Sequence, residues 1–294
     1  MYYRRKILLA LLETFENKLN KIRLQKLLML VSKQQEKADF YFVPYKYGCY
    51  SFQANADFHT MTKYNQVIEE GKTWVKTDTV SYMPKLKERD RKAILYAKNL
   101  YGNLSTDELI KLTYIQFPYY ALNSIIAKER LSADEYRRVT DSKPVNKKTI
   151  LFTIGYEGIS LEEYLNKLIR NDVKVLCDVR KNSLSMKYGF SKSQLQSACE
   201  GVGISYIHLP ELGIESDKRQ ELNSQADYDR LFTVYRKEVL PPVLVSQEKL
   251  LKLLKDKKRI ALTCFEANIC QCHRKHLADA IVNLPDFKYE LKHI

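Results

Sequence analysis

From Thr149 onward, short apolar runs alternate with amphipathic helix patterns, and this alternation leaves few folds open. Residues 150–154, 173–179, 204–209, 260–265 and 289–293 read as strands. Between them, Ser160-Leu-Glu-Glu163 is a capping box that opens a helix to Ile169. Residues 191–200, 228–240, 247–256 and 274–281 carry helical spacing. Short strands joined by helical crossovers run parallel, with helices on both faces. The expectation for residues 149–294 is therefore an α/β domain with a doubly wound, mostly parallel, Rossmann-like sheet.

The first half is patterned differently. Residues 4–16 read as an amphipathic helix with Ile7, Leu8, Leu11, Leu12 and Phe15 on one face, and residues 20–32 as a second helix. Residues 41–48 are strand-like and end in Gly48, and Pro44 argues for an edge position. Residues 51–63 form a third expected helix with Ser51 as its N-cap, and residues 66–69 and 73–76 a hairpin. Three helices and a hairpin in a small basic unit is the order of a winged helix, assigned to residues 1–80. A helical extension follows at residues 81–140, with helices at 84–102, 107–114 and 118–128. Thr106 is the expected cap of the second, and Pro118 suits the first turn of the third. Residues 141–148 are polar, contain Pro144 and read as a linker.

Charge is unevenly spread. Residues 1–148 hold 27 Lys and Arg against 16 Asp and Glu, whereas residues 149–294 hold 22 against 19. Fourteen of the 21 tyrosines also lie in the first half. Such a surface suits a polyanion, with cations on phosphates and aromatic faces on bases. Nucleic acid, DNA ahead of RNA, or a nucleotide is the expected partner, with Lys21, Arg23, Lys26 and Lys46 as contacts. The bland alternative is a basic solvated surface. No apolar run approaches the ~20 residues of a membrane span, so no membrane partner is expected and the location is read as cytoplasmic. A homodimer is left open.

In an open α/β sheet, ligands sit beyond the carboxyl ends of the strands. Those positions are loaded: Tyr156 and Glu157, Asp178 and Arg180, His208 and Glu211, Cys264 and Glu266, then Cys272, His273 and Arg274 at the opening of a helix. Glu266 and Glu157 are the acid, base or nucleophile candidates, since a carboxylate can steady an oxocarbenium-like centre. They could instead pair with Arg180 or Arg274 and hold the loops. Arg180 and Arg274 suit a phosphate, or an ion pair with Asp178. His208 is a candidate base or a partner for a backbone carbonyl, and Tyr156 a stacking platform or a core residue. Cys264 and Cys272 offer thiol chemistry or core packing. Six cysteines, three of them within nine residues, fit reduced thiols better than a disulfide framework. Cys264, Cys270, Cys272, His273 and His276 are of zinc-ligand type. The expectation is no metal, because Cys-x-Cys-His crowds neighbours and no second knuckle exists. No cofactor is expected either: GxGxxG, P-loop, HExxH and GxSxG are all absent.

Two resemblances follow from these motifs. Arg23-Leu-Gln-Lys-Leu-Leu28 followed by Phe42-Val-Pro-Tyr-Lys-Tyr-Gly48 resembles a group of antitoxin and phage-defence-associated helical domains, which serve in DNA binding and in protein contacts. Thr153-Ile-Gly-Tyr-Glu157, Asp178-Val-Arg180, Phe190, His208-Leu-Pro-Glu-Leu-Gly213, Cys264-Phe-Glu266 and Cys272-His-Arg274 are similar to the motifs of the family called domain of unknown function 488, over roughly residues 150–285. Cys270 is not part of that pattern. The resemblance implies a Rossmann-like fold and a nucleic-acid or nucleotide role in defence or DNA modification; it supplies no reaction. The expected function is an enzyme that hydrolyses or otherwise processes a modified base. The alternatives are a non-catalytic DNA-binding regulator or nucleotide sensor, and rhodanese-like thiol chemistry at Cys264 and Cys272.

Overall fold

The structure, a computed structural model, describes residues 1–215, 217 and 222–294. It divides into two compact units, Met1–Lys143 and Pro144–Ile294.

The first unit begins with α1 (Tyr3–Thr14), β1 (Lys18–Asn20) and α2 (Lys21–Gln34), followed by β2 (Val43–Tyr45), β3 (Gly48–Tyr50) and α3 (Phe52–Lys63). β4 (Val67–Glu70) and β5 (Thr73–Lys76) come next, and then α4 (Glu88–Tyr101), α5 (Thr106–Gln116), α6 (Ala127–Arg130) and α7 (Ala133–Asp141). Ser51 caps α3 as expected, accepting from the Ala54 amide at 3.2 Å. β1 was not legible in the sequence. Its three residues pair antiparallel with β5, Leu19 opposite Trp74, and give a sheet of order β1-β5-β4.

Several local expectations are corrected. The strand-like run 41–48 is one arm and the turn of a hairpin, because Gly48 adopts φ +92° and sends the chain back as β3. Ser105, not Thr106, caps α5, in a reciprocal box with Glu108. The helix foreseen at 118–128 is a 3-10 turn at Pro118–Ala121 followed by the short α6. Non-local bonds hold the residues between them: Asn123 donates to the Pro44 carbonyl at 3.0 Å and the Ile125 amide to the Lys46 carbonyl at 3.0 Å. α7, opened by a Ser132–Glu135 capping box, lies in the helical extension beyond the three helices expected there. α4 contributes Ala93, Ile94 and Ala97 to the same apolar cluster as α1 and α2.

The second unit alternates as the sequence indicates. β6 (Ile150–Gly155), α8 (Leu161–Arg170), β7 (Val175–Asp178), α9 (Lys192–Gly201) and β8 (Ser205–His208) form its first half. α10 (Gln225–Val234), continued by a π turn at Tyr235–Val239, leads to α11 (Leu244–Lys257). β9 (Arg259–Cys264), α12 (His273–Val282) and β10 (Glu290–His293) complete it. All pairings are parallel, in the order β10-β6-β9-β7-β8. β7 and β9 are buried along their whole length, as expected of strands covered on both faces. The register brings Gly155 level with Cys264, and Asp178 level with both Thr263 and His208. Four carboxyl ends therefore lie at one rim of the sheet.

Candidate functional site

Asp178 closes β7 with its carboxylate fully buried, and burying a charge demands partners. Arg180 supplies them. Its Nε reaches Asp178 Oδ1 at 2.8 Å and its Nη2 reaches Oδ2 at 2.5 Å, while Tyr206 OH adds a third donor at 2.6 Å. The remaining nitrogen of Arg180 donates to Tyr156 OH at 2.7 Å and to the Phe190 carbonyl at 2.9 Å. Burial works against the Arg180 charge, but the bonds and charge of Asp178 outweigh it and hold its pKa above the ordinary value. Of the two roles read from the sequence, phosphate contact or ion pair with Asp178, the geometry has Arg180 in the pair, 4% exposed. Tyr156 packs rather than stacks on a guest, lying 4.2 Å from Phe190, ring over ring. His208 Nε2 contacts the Arg180 carbonyl at 2.9 Å, which places it with the loop-holding alternative.

The segments after β6 and β9 are fastened to each other. The amides of Tyr156 and Glu157 donate to the Phe265 carbonyl at 3.0 and 2.9 Å, and the Ala267 amide donates to Glu157 Oε2 at 2.9 Å. Glu157 is exposed but serves this turn. Arg274, buried in the first turn of α12, donates to the carbonyls of Glu266 and Ala267. It therefore braces the Glu266 loop, in place of the phosphate contact foreseen.

Behind that loop, Cys264, Glu266, Cys272 and His273 come together. Cys264 Sγ is 3.2 Å from Glu266 Oε2 and 3.6 Å from His273 Nδ1. Cys272 joins them, with donor atoms of Cys264, Cys272 and His273 within 4.8 Å of one another. His273 Nε2 lies 3.0 Å from the Val179 carbonyl. Burial, and then the neighbouring Cys264, push the Cys272 thiol well above the ordinary thiol range, so no free thiolate is favoured there. Cys270 is exposed and outside the group.

In front of the loop a cleft of about 580 Å³ opens at the rim. Glu266, 9% exposed, forms part of its wall with Tyr156, Arg180 and Phe265. The connection between β7 and α9 also lines it, with Lys181, Asn182, Ser185 and Lys187. Lys187 donates to the Tyr156 carbonyl at 2.6 Å, and partial burial lowers its pKa. Lys181 pairs with Glu215 at 2.9 Å. Neither lysine had been singled out from the sequence. The only hint was the loaded, polar loop that follows Arg180. The cleft is thus lined by one carboxylate residue, Glu266, and by Arg180, Lys181 and Lys187.

The proposed nucleic-acid contacts of the first unit separate into two kinds. Lys26 is 1% exposed, donates to the Tyr47 carbonyl and lies 3.6 Å from Cys49 Sγ. Arg23 is taken up by the carbonyls of Gly102 and Leu104. Their charged heads serve the unit's own backbone and do not stand at its surface as nucleic-acid contacts. Lys46 stays exposed, and Lys21, half-buried, pairs with Glu69.

The five-stranded parallel sheet flanked by helices, with its polar groups gathered at the carboxyl rim, defines a Rossmann-like α/β domain. Residues 160–281, in the C-terminal half, match the family described as Domain of unknown function DUF488. The matched stretch begins after β6 and ends before β10. No curated protein and no solved structure matches the chain. Among the described residues, no helix is long and apolar enough to cross a membrane.

Proposed function

We propose that this chain acts on nucleic acid or a nucleotide, with the C-terminal cleft as the seat of the reacting group and Glu266 as the carboxylate at its centre. The reaction class is hydrolysis or related processing of a modified base, in a defence or DNA-modification setting. One observation carries this: Glu266, Lys181 and Lys187 line the same cleft. Lysines attract a phosphate, and a carboxylate held at hydrogen-bonding depth can take a proton from water or steady a cationic sugar. The first unit is the DNA-binding part in this reading. Its support is the basic excess of residues 1–148 and the three-stranded sheet of order β1-β5-β4 packed with helices, an arrangement suited to a winged-helix-like domain.

A second reading, a nucleotide sensor without chemistry, is favoured by the internal pairing of Asp178, Arg180, Tyr156 and His208, which leaves few groups for catalysis. The two are separated by assaying base release from plain and modified DNA with wild type and Glu266→Gln. Release by wild type that is lost in the variant supports the enzyme. Equal release by both removes Glu266 from the mechanism, and binding with no product favours the sensor.

A further inference from the structure

We propose that Cys264, Cys272 and His273 form a zinc site of the three-protein-ligand kind, set directly behind Glu266. Their donor atoms all lie within 4.8 Å of one another, and all three residues are buried. With Zn–S near 2.3 Å and Zn–N near 2.0 Å, donors on a tetrahedral ion stand roughly 3.5–3.8 Å apart. Cys264 Sγ and His273 Nδ1 are 3.6 Å apart. That distance is one edge of such a tetrahedron.

The imidazole is prepared for the role. The Val179 carbonyl, 3.0 Å from Nε2, holds the proton on that nitrogen and leaves the Nδ1 lone pair directed at the sulfur. A metal-bound histidine needs this second partner to fix its tautomer and ring plane. The three donors also come from elements held in register: the last residue of β9, the N-cap of α12 and its first helical residue. The adjacency of Cys272 and His273, which argued against metal in the sequence, does not crowd the site. Cys272 is extended, with φ −131° and ψ 131°, while His273 begins the helix, and their donors still converge.

Charge balance favours the ion in so dry a place. Two thiolates, a neutral imidazole and Zn²⁺ sum to zero. On loading, two S–H bonds break, two Zn–S bonds form and two protons leave to solvent. Two Cys and one His leave one coordination position for water or a substrate oxygen, the pattern of catalytic rather than structural zinc. Glu266, whose Oε2 is 3.2 Å from Cys264 Sγ, is the adjacent carboxylate that would take that water's proton. Two Cys and one His on zinc with a non-ligating Glu is a set that serves hydrolytic deamination of nucleobases, in which water oxygen replaces the exocyclic amine and ammonia leaves. Only this last step rests on the proposed role of Glu266; the metal site stands apart from it.

The test is cobalt titration of the chelator-stripped full chain under reducing conditions. One equivalent is expected to bind, with a thiolate-to-cobalt charge-transfer band and tetrahedral d–d absorption. Cys272→Ser and His273→Gln should each weaken cobalt binding at least about tenfold, whereas Cys270→Ser and Glu266→Gln should keep the full stoichiometry. Absence of the charge-transfer band in wild type overturns the site whatever the variants do. So does an undiminished band in Cys272→Ser, or loss of binding in Cys270→Ser or Glu266→Gln. Cobalt binding with neither base release nor ammonia release from the base would leave the metal site intact and refute the Glu266 reaction. Base release without cobalt binding would do the reverse.

Discussion

A β-carbon on Gly155 would lie 2.0 Å from the carbonyl oxygen of Glu266 and 3.1 Å from Arg274 Nη2. The end of β6 thus approaches the Glu266 loop more closely than any side chain allows, and the glycine sets the depth of the carboxylate in the cleft wall. Gly155→Ala should push that loop outward. Because the obstacle is backbone, the cost should be about 3 kcal/mol, the upper end for overpacking, read as a lowered denaturant midpoint. An unchanged midpoint would mean that the two segments are not in contact.

The buried pair of Asp178 and Arg180 makes a second prediction. Arg180→Met removes the partner of a carboxylate with no exposure and should cost about 3–5 kcal/mol. The double variant Asp178→Asn, Arg180→Met should recover part of that loss, since no uncompensated charge remains. Chemical denaturation of both variants checks this, and a double variant worse than the single one would contradict it.

His276 gives a pH dependence. Its ring accepts from Arg236 at 3.1 Å and lies against Phe232, and burial followed by the Arg236 charge lowers its pKa to about 4. The unfolded chain takes up this proton near pH 6.5, whereas the folded one resists until about pH 4. The stabilising contribution is therefore full above pH 6.5 and lost as pH falls toward 4. Denaturant midpoints of wild type should fall from pH 7 to pH 5 more than those of His276→Gln. His293, shifted in the same direction by burial, keeps some dependence in the variant.

For the first unit, DNA binding by the full chain should weaken with salt, and removing a phosphate contact should reduce the log–log slope by about 1. Lys46→Ala is expected to do so. Lys26→Met, at a buried position, is expected to leave the slope unchanged. Titrations at several salt concentrations decide it, and a slope insensitive to Lys46 would remove that residue from the interface.

Much of the second unit was legible because local and non-local signals agree there. The Ser160–Glu163 box, the apolar run that became β9 and the polar residues at each strand end all point to one sheet and one rim. What escaped reading depends on contacts between distant residues. β1 is three residues long and exists through its pairing with β5. Lys26 looked like a surface cation on α2, but Gly48 and Tyr114 close over its ammonium group. The roles of Arg180 and Tyr156 were open because a sequence does not reveal which donors a buried carboxylate recruits. The convergence of Cys264 with Cys272 and His273 needs the turn after β9, whose course no periodicity marks. Lys181 and Lys187 belong to a loop without pattern, and their place in the same cleft as Glu266 is set only by the fold.

That the cleft takes an anionic guest is the claim beneath all the others. Its most direct measurement is the affinity of the full chain for mononucleotides and short oligonucleotides, in wild type and in Lys181→Ala, Lys187→Ala. Loss of both ammonium groups should weaken binding about tenfold or more, equivalent to ~1.4 kcal/mol, with the fold retained by circular dichroism. Equal affinity in the folded variant would show that the guest, if any, is held elsewhere.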